Sequence, residues 1–352
     1  MRSSVSIGVV GLGEAGGSFA QMFDDLPNCD LRWLSDSDRG ALLAAKRYPQ
    51  ASMTASYDDL LDDETLDAVV LATPLATHGE LVERALRADK HVLVANPLAR
   101  TADEALSLTD LARDRSRCLL TAHALLFHPG LRKLKEVMET GRLGETFHLY
   151  GNRQDLSRSR RETSALWSLG VQDIAALLYL LDDTPAEVSC WGESYVRPGI
   201  TDIAFCFLRF ATGVTAHLHV SSLDPQTFRR LTLVGSRQMV VFDELAPERM
   251  LTIYDRAVVP PRSPGHGQPV RLEGDGSVVS PAIPADDPLQ ALCETFLAAV
   301  RRGRPLEAEG SLAVRVVAVL EALQRSLEQA GSPEVVGAPA PRLPNVVELR
   351  VS

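Results

Sequence analysis

Residues 5–17, Val5 to Gly17, read VSIGVVGLGEAGG, an apolar run that breaks into glycines. The first half has the composition of a buried strand, and the second fits G-x-G-x-x-G at Gly11, Gly13 and Gly16. In that fingerprint the first glycine makes a tight turn, the second lets backbone approach a pyrophosphate, and the third lets helix pack on strand. A helix from about Glu14 to Asp25 is expected next, placing Glu14, Ala15 and Gly16 at its positive end, where free N–H groups favour phosphate. A second strand through Leu31, Trp33 and Leu34 ends at Asp36, about twenty residues after Gly16. A carboxylate there accepts the ribose hydroxyls of NAD and repels the 2′-phosphate of NADP, an option that Arg39 keeps open. The competing reading makes Asp36 a turn residue of Ser35-Asp36-Ser37-Asp38.

The chain has 352 residues, enough for two domains, and is 45% hydrophobic and 23% charged. No apolar run is long enough to span a bilayer, and a formal charge of −10 lacks the basic excess that nucleic-acid binding requires. MRSSVSIGVV leads directly into the first strand with no signal-peptide pattern, so the cytoplasm is the expected compartment. Cys29, Cys118, Cys190, Cys206 and Cys293 are scattered, odd in number and without C-x-x-C. Buried thiols are expected, not a disulfide framework or a zinc site. Lysine occurs only at positions 46, 90, 133 and 135.

Strand-like and helix-like stretches then alternate as a doubly wound parallel sheet requires. A helical run from Arg39 to Arg47 precedes a short extended piece at 52–55. The continuous apolar strand 66–72 ends in Thr73-Pro74, and a helix begins near Thr77. Strand 91–95 runs into Asn96-Pro97, Thr101-x-x-Glu104 caps the next helix, and Cys118 to Ala124 makes a sixth strand. After a helix from Pro129 to Thr140 the rhythm changes to long β-rich stretches, interrupted by helix Val171 to Leu181. The fold class is therefore α/β: an N-terminal Rossmann domain over 1–124 and an α/β domain with a large, mostly antiparallel open sheet over 125–284. Helices over 285–336 are expected to pack back on the first domain, with residues 256–287 as loop and 337–352 as an aperiodic tail. The uncovered face of an open sheet invites a second copy, so a homo-oligomer is expected.

The order of motifs resembles the Gfo/Idh/MocA family of NAD(P)-dependent oxidoreductases. The resemblance is carried by GLGEAG at 11–16, ATPLATH at 72–78, DKHVLVANPLA at 89–99, HALLFHPGLRKLKEV at 123–137, LWSLGVQDIAALLYLL at 166–181 and PLQALCETFLAAVRRGRPL at 288–306. LWSLGVQDI and the later HLHVSSLDP look closest to members acting on sugar nucleotides. The resemblance implies hydride transfer between a nicotinamide and a sugar, polyol or sugar nucleotide. It further implies dinucleotide contacts from Gly11, Gly13, Gly16 and Asp36, a nicotinamide side lined by Thr73, Pro74 and His78, and a turn at Ala95-Asn96-Pro97. The family pattern at 95–97 is Glu-Lys-Pro, and its second motif is an aspartate followed four residues later by a histidine. Here those positions hold Asn96, Ser168 and Gln172.

Amides orient a substrate but do not exchange a proton near neutral pH, and losing a general base typically costs about 10² to 10⁴ in rate. His123 is the best remaining titrating candidate, with Tyr150, Asp155 and Asp173 behind it. Ser168, Gln172, Trp167 and Arg153 are substrate-side candidates; Arg153 lies just before a basic cluster of Arg158, Arg160 and Arg161, which reads either as a solvated loop or as a contact for a substrate phosphate. His217 and His219 alternate on one strand, but no third ligand is apparent and no metal is expected. Two further functions compete with sugar oxidoreduction: a redox-silent dinucleotide-binding paralogue acting as partner subunit, and a lyase or isomerase using bound NAD.

Overall fold

The computed structural model describes residues 4–156, 163–259, 271–303 and 307–337, so Arg158, Arg160 and Arg161 lie outside the described residues. The chain divides into two units: 1–124 with 287–318 and 338–352, and 125–286 with 319–337. The closing segment, expected on the first domain as a whole, is thus shared between the two.

In the first unit, β1 (Val5–Val10), α1 (Glu14–Asp25), β2 (Cys29–Ser35), α2 (Arg39–Ala44), β3 (Ser52–Thr54), α3 (Tyr57–Leu61), β4 (Ala68–Leu71), α4 (His78–Arg87), β5 (His91–Ala95), α5 (Ala102–Asp114) and β6 (Leu119–Ala122) alternate in sequence. The strands form a parallel sheet in the order β3-β2-β1-β4-β5-β6, the doubly wound order of a dinucleotide-binding fold. β1 and β4 are buried along their whole length because helices cover both sheet faces. One core packs Val69 and Leu71 of β4 and Val92 and Val94 of β5 against Val82 and Leu86 of α4 and Val314 and Val317 near the end of the unit. Thr101 caps α5 as expected, its hydroxyl accepting from the Glu104 N–H at 3.2 Å. Strands β4 and β6 are shorter than the apolar runs predicted, since hydrogen-bonded pairing stops where the chain turns into the loops above the sheet.

The second unit holds α6 (Pro129–Glu139), β7 (Thr146–Gln154), α7 (Val171–Leu181), β8 (Pro185–Glu193), β9 (Ile203–Phe210), β10 (Thr215–Ser221), β11 (Phe228–Gly235), β12 (Met239–Asp243), β13 (Leu251–Tyr254), β14 (Ala257–Val259), β15 (Arg271–Glu273) and β16 (Val278–Val279). α8 (Pro288–Arg302) lies in the first unit, α9 (Glu307–Glu328) is divided between the two, and β17 (Glu334–Val335) returns to the second. Nine strands make one sheet, β16-β13-β12-β11-β7-β10-β9-β8-β17, antiparallel except for β7 beside β10. The segment 256–287, expected as loop, contributes β16 to this sheet, while its β14 and β15 pair with each other in a separate two-stranded sheet. Alternation sorts the sheet's faces: Ala204, Cys206, Leu208 and Phe210 of β9 are buried, whereas Phe205, Phe207 and Arg209 are exposed. On the buried side Cys190 and Cys206 are cross-strand partners with sulfurs 3.7 Å apart, both free thiols. Among the described residues no helix is long and apolar enough to cross a membrane.

Candidate functional site

The glycine turn after β1 is built by three different constraints. Gly11 has φ +83°, and a Cβ there would press into the backbone of Ala72. A Cβ on Gly16 would collide with the Gly11 carbonyl, so this glycine permits the close approach of helix to turn. At Gly13 a Cβ would meet nothing within 4 Å. No internal contact demands a glycine at that point; its bare backbone faces outward beside the exposed Glu14 and Ala15, as a pyrophosphate cradle at a helix N-terminus requires. Asp36 is locked beside the turn: Oδ2 accepts from the Leu12 N–H at 2.6 Å and Oδ1 from the Asp38 N–H at 2.8 Å. These residues fit the diphosphate and ribose of a dinucleotide.

Two further loops rise beside it. His78, at the first turn of α4, is 1% exposed, and its ring nitrogens lie 2.8 Å from the Pro97 carbonyl and 2.9 Å from the Thr73 carbonyl. Burial holds its imidazole below the usual histidine range. Thr73 is tied in turn to the Thr77 hydroxyl at 2.8 Å, while Pro74 stays exposed. The Asn96-Pro97 bond is cis, and Asn96 Nδ2 donates to the Ala122 carbonyl at 2.6 Å, joining the ends of β5 and β6 beside the half-buried Ala95. His123 follows β6 at 4% exposure, and neither ring nitrogen has a partner among the described residues. Burial pushes it down to about 4, so it is neutral at pH 7.

In the second unit a π-helical turn, Leu166–Gly170, leads into α7 and carries Trp167 and Ser168. Such turns widen the backbone and recur at functional sites. Trp167 Nε1 donates to Gln324 at 3.0 Å, and the Ser168 hydroxyl donates to the Ser164 carbonyl at 2.9 Å. Gln172 is half-buried on the first turn of α7. Its neighbour Asp173 is enclosed: Oδ1 accepts from Arg153 Nε at 2.8 Å and lies 2.7 Å from Nη2, which also binds Glu244. Arg153, expected on the substrate side, is 6% exposed and paired with two carboxylates. Asp155 pairs with Arg229 at 3.0 Å. Tyr150 points to the sheet's other face, stacked on His217. Among the described residues no group of three or more His, Cys, Asp or Glu side chains can hold a metal ion.

Residues 5–123 match the oxidoreductase family with an NAD-binding Rossmann fold, and residues 131–241 match the GFO/IDH/MocA C-terminal domain. A dTDP-3,4-didehydro-2,6-dideoxy-alpha-D-glucose 3-reductase of Streptomyces violaceoruber is 30% identical over 76% of this chain and 76% of its own. The chain belongs to the Gfo/Idh/MocA family. A UDP-N-acetylglucosamine 3-dehydrogenase of Acidithiobacillus ferrooxidans is another relative, 27% identical over 88% of this chain and 93% of its own. In fold, the chain matches a 3-ketoreductase of Actinomadura kijaniata in complex with NADP and TDP-benzene at TM-score 0.80 and 19% identity, covering 92% and 98% of the two chains. It matches GenD2 from gentamicin A biosynthesis, in complex with NAD, at TM-score 0.79 and 23% identity, covering 96% and 98%. The first unit of this Gfo/Idh/MocA member is an NAD(P)-binding Rossmann fold.

Glu244 and Arg229 were not singled out in the sequence. Glu244 lies 91 residues from Arg153, and only the pairing of β11 with both β7 and β12 brings them together. One signal was available: Arg153 is in phase with the buried Leu149, so strand periodicity alone turns it inward.

Proposed function

We propose that this protein is an NAD(H)-dependent oxidoreductase of a sugar-like, preferably sugar-nucleotide, substrate, with a proton relay that does not use the family's lysine, aspartate and histidine. The observation that carries the reading is the Leu12–Asp36 contact beside the bare Gly13, a loop fitted to a diphosphate and an unphosphorylated ribose. When bound, the nicotinamide supplies the hydride acceptor or donor. The chain's own residues are assigned to holding and orienting: Gly11, Gly13, Glu14, Ala15, Gly16 and Asp36 for the dinucleotide, and Thr73, Pro74, His78, Ala95 and Asn96 for the rim of its reactive end. Ser168, Gln172 and Trp167 are assigned to the substrate. Arg153 is assigned to fixing the first turn of α7 through Asp173.

With Asn96 committed to the Ala122 carbonyl, the hydroxyl proton of an alcohol substrate passes through His123 or directly to water. This chemistry is expected to be slow, by roughly the 10² to 10⁴ that a positioned base contributes. The same neutral trio favours a second reading, a redox-silent subunit that holds the coenzyme for a paralogue. NADH and NADPH titrations by protein fluorescence, followed by absorbance at 340 nm against UDP- and dTDP-sugars, separate the two. NADH binding with slow turnover supports the first; binding with no turnover supports the second; binding of neither coenzyme overturns both.

The open face of the nine-stranded sheet is proposed to pair with a second copy. Nine strands spaced about 4.8 Å apart and five to six residues long present roughly 700 Å² per copy, near the 800 Å² a stable interface needs. The face carries Trp191, Phe205 and Phe207, all more than 40% exposed, together with opposite charges, Arg209 beside Glu187 and Arg230 beside Asp243, that suit a self-complementary contact.

A further inference from the structure

The centre of that open face is occupied by histidines. β7 and β10 run parallel, with Thr215 opposite His148 and His217 opposite Tyr150. This register sets His148 Nε2 2.8 Å from His217 Nδ1, while His148 Nδ1 meets the Thr215 hydroxyl at 2.7 Å. The His217 ring lies parallel to Tyr150 at 5.2 Å, within 3°, and next to exposed Phe207. One row along, His219 stacks on Phe205 at 4.5 Å and receives the Gln154 amide at 2.8 Å. Three imidazoles are thus embedded in the aromatic surface that a second copy would cover.

We propose that the His148–His217 pair makes self-association through this face pH-dependent, intact when the pair carries at most one proton and lost when it carries two. The inference rests on the interface reading above and adds its regulation. In the pair one ring nitrogen donates and the other accepts, so a neutral pair and a singly protonated pair both keep the 2.8 Å bond. A second proton turns the acceptor into a donor and places two cations side by side against a surface about to lose its water. A two-fold contact doubles the number of such pairs. Partial burial already holds all three histidines below their usual range, and each of the pair would repel the other's charge. Among the described residues, the other ionisable groups facing them supply no compensating anion: on β9 and β8, Arg209 is matched by Glu187; on β11 and β12, Arg230 is matched by Asp243; and the Tyr150 ring of β7 stacks on His217. Asp224, after β10, favours a charge on His219 and not on the pair.

The test is sedimentation velocity of the full chain between about pH 8 and pH 5.5 at constant ionic strength, with circular dichroism confirming the fold. Two variants accompany it: His148→Gln/His217→Gln, which removes the titrating pair, and Phe207→Glu, which plants a charge in the face. The expected result is an oligomer at about pH 8 whose dissociation constant rises at least about tenfold by the acid end of the range, a double variant that stays associated across the range, and a Phe207→Glu protein that is smaller throughout. An oligomer broken by Phe207→Glu but indifferent to pH, or one that dissociates in parallel with the double variant, overturns the switch and leaves the interface standing. A monomer at every pH, or an oligomer untouched by Phe207→Glu, overturns the interface and the switch with it.

Discussion

Nδ1 of His78 stands 2.8 Å from the carbonyl oxygen of Pro97, with Nε2 2.9 Å from that of Thr73. One buried imidazole therefore bridges the loops after β4 and β5, both proposed to border the reactive end of the coenzyme. Both carbonyls are acceptors and a neutral imidazole has a single N–H, so it donates to one of the two loops at a time. His78→Ala is expected to cost on the order of 1–2 kcal/mol in stability and to weaken NADH binding by about tenfold, because both rim loops lose their common tether. Isothermal calorimetry beside thermal unfolding checks it; unchanged affinity in a folded variant refutes the tethering role.

Coenzyme choice should follow from Asp36. Its carboxylate accepts from the Leu12 and Asp38 N–H groups, and the proposed preference for NADH rests on its holding that position. Asp36→Ala is expected to lower NADH affinity by about tenfold and to narrow or reverse the preference over NADPH. Competitive titration of the two reduced coenzymes reads the ratio directly.

The first unit was largely legible because a strand buried on both faces announces itself as an unbroken apolar run, and the glycine turn has internal steric reasons at Gly11 and Gly16. The second unit was legible in class but not in its particulars. The meeting of His148 with His217 depends on β7 lying parallel to β10, and short-range periodicity contains no register. The π turn that carries Ser168 has no composition signal of its own. His123 was singled out for being ionisable, yet its apolar surroundings decide its state, and those belong to the tertiary structure.

Placing at 96, 168 and 172 the ionisable groups that the resemblance implies there tests whether proton transfer limits the proposed chemistry. Asn96→Lys, Ser168→Asp and Gln172→His in one chain are expected to raise turnover on an accepted sugar nucleotide by about 10² or more, with the KM for coenzyme little changed. If Asn96 instead matters chiefly for joining β5 to β6 through Ala122, Asn96→Lys alone lowers stability with no gain in rate. Single-turnover kinetics and thermal melts of the single and triple variants distinguish these outcomes.

Acid should destabilise the fold through its buried neutral histidines. His91 accepts the Cys118 N–H at 2.9 Å and is pushed down to about 4 by burial; His123 is held at about 4 by burial alone. The unfolded chain binds these protons near pH 6.5 and the folded chain does not, so the stabilisation is complete above about 6.5 and is lost as pH falls toward 4. Each group accounts for on the order of 3 kcal/mol across that window. His123→Leu removes a buried, unpartnered imidazole, and is expected to raise the urea midpoint at pH 7 and to flatten its decline between pH 6.5 and pH 4.5. A steeper decline in the variant would contradict the assignment.

Arg153 lies between the buried Asp173 carboxylate and the half-buried Glu244 carboxylate. Arg153→Met keeps the length of the side chain but leaves the buried Asp173 without its cation and the half-buried Glu244 without a partner here, which is expected to cost about 3–5 kcal/mol near neutral pH. The sign of the pH effect is diagnostic. Burial already raises the Asp173 carboxyl, and without the guanidinium nothing opposes that rise. A carboxyl whose folded value exceeds its unfolded one gives back stability as pH falls and it takes up a proton, so the gap between wild type and variant should narrow from pH 8 to pH 5. Adding Asp173→Asn should close much of the gap at pH 8. Were the gap constant with pH, the loss would be one of packing, and the charge network would not be what holds the first turn of α7 against β7.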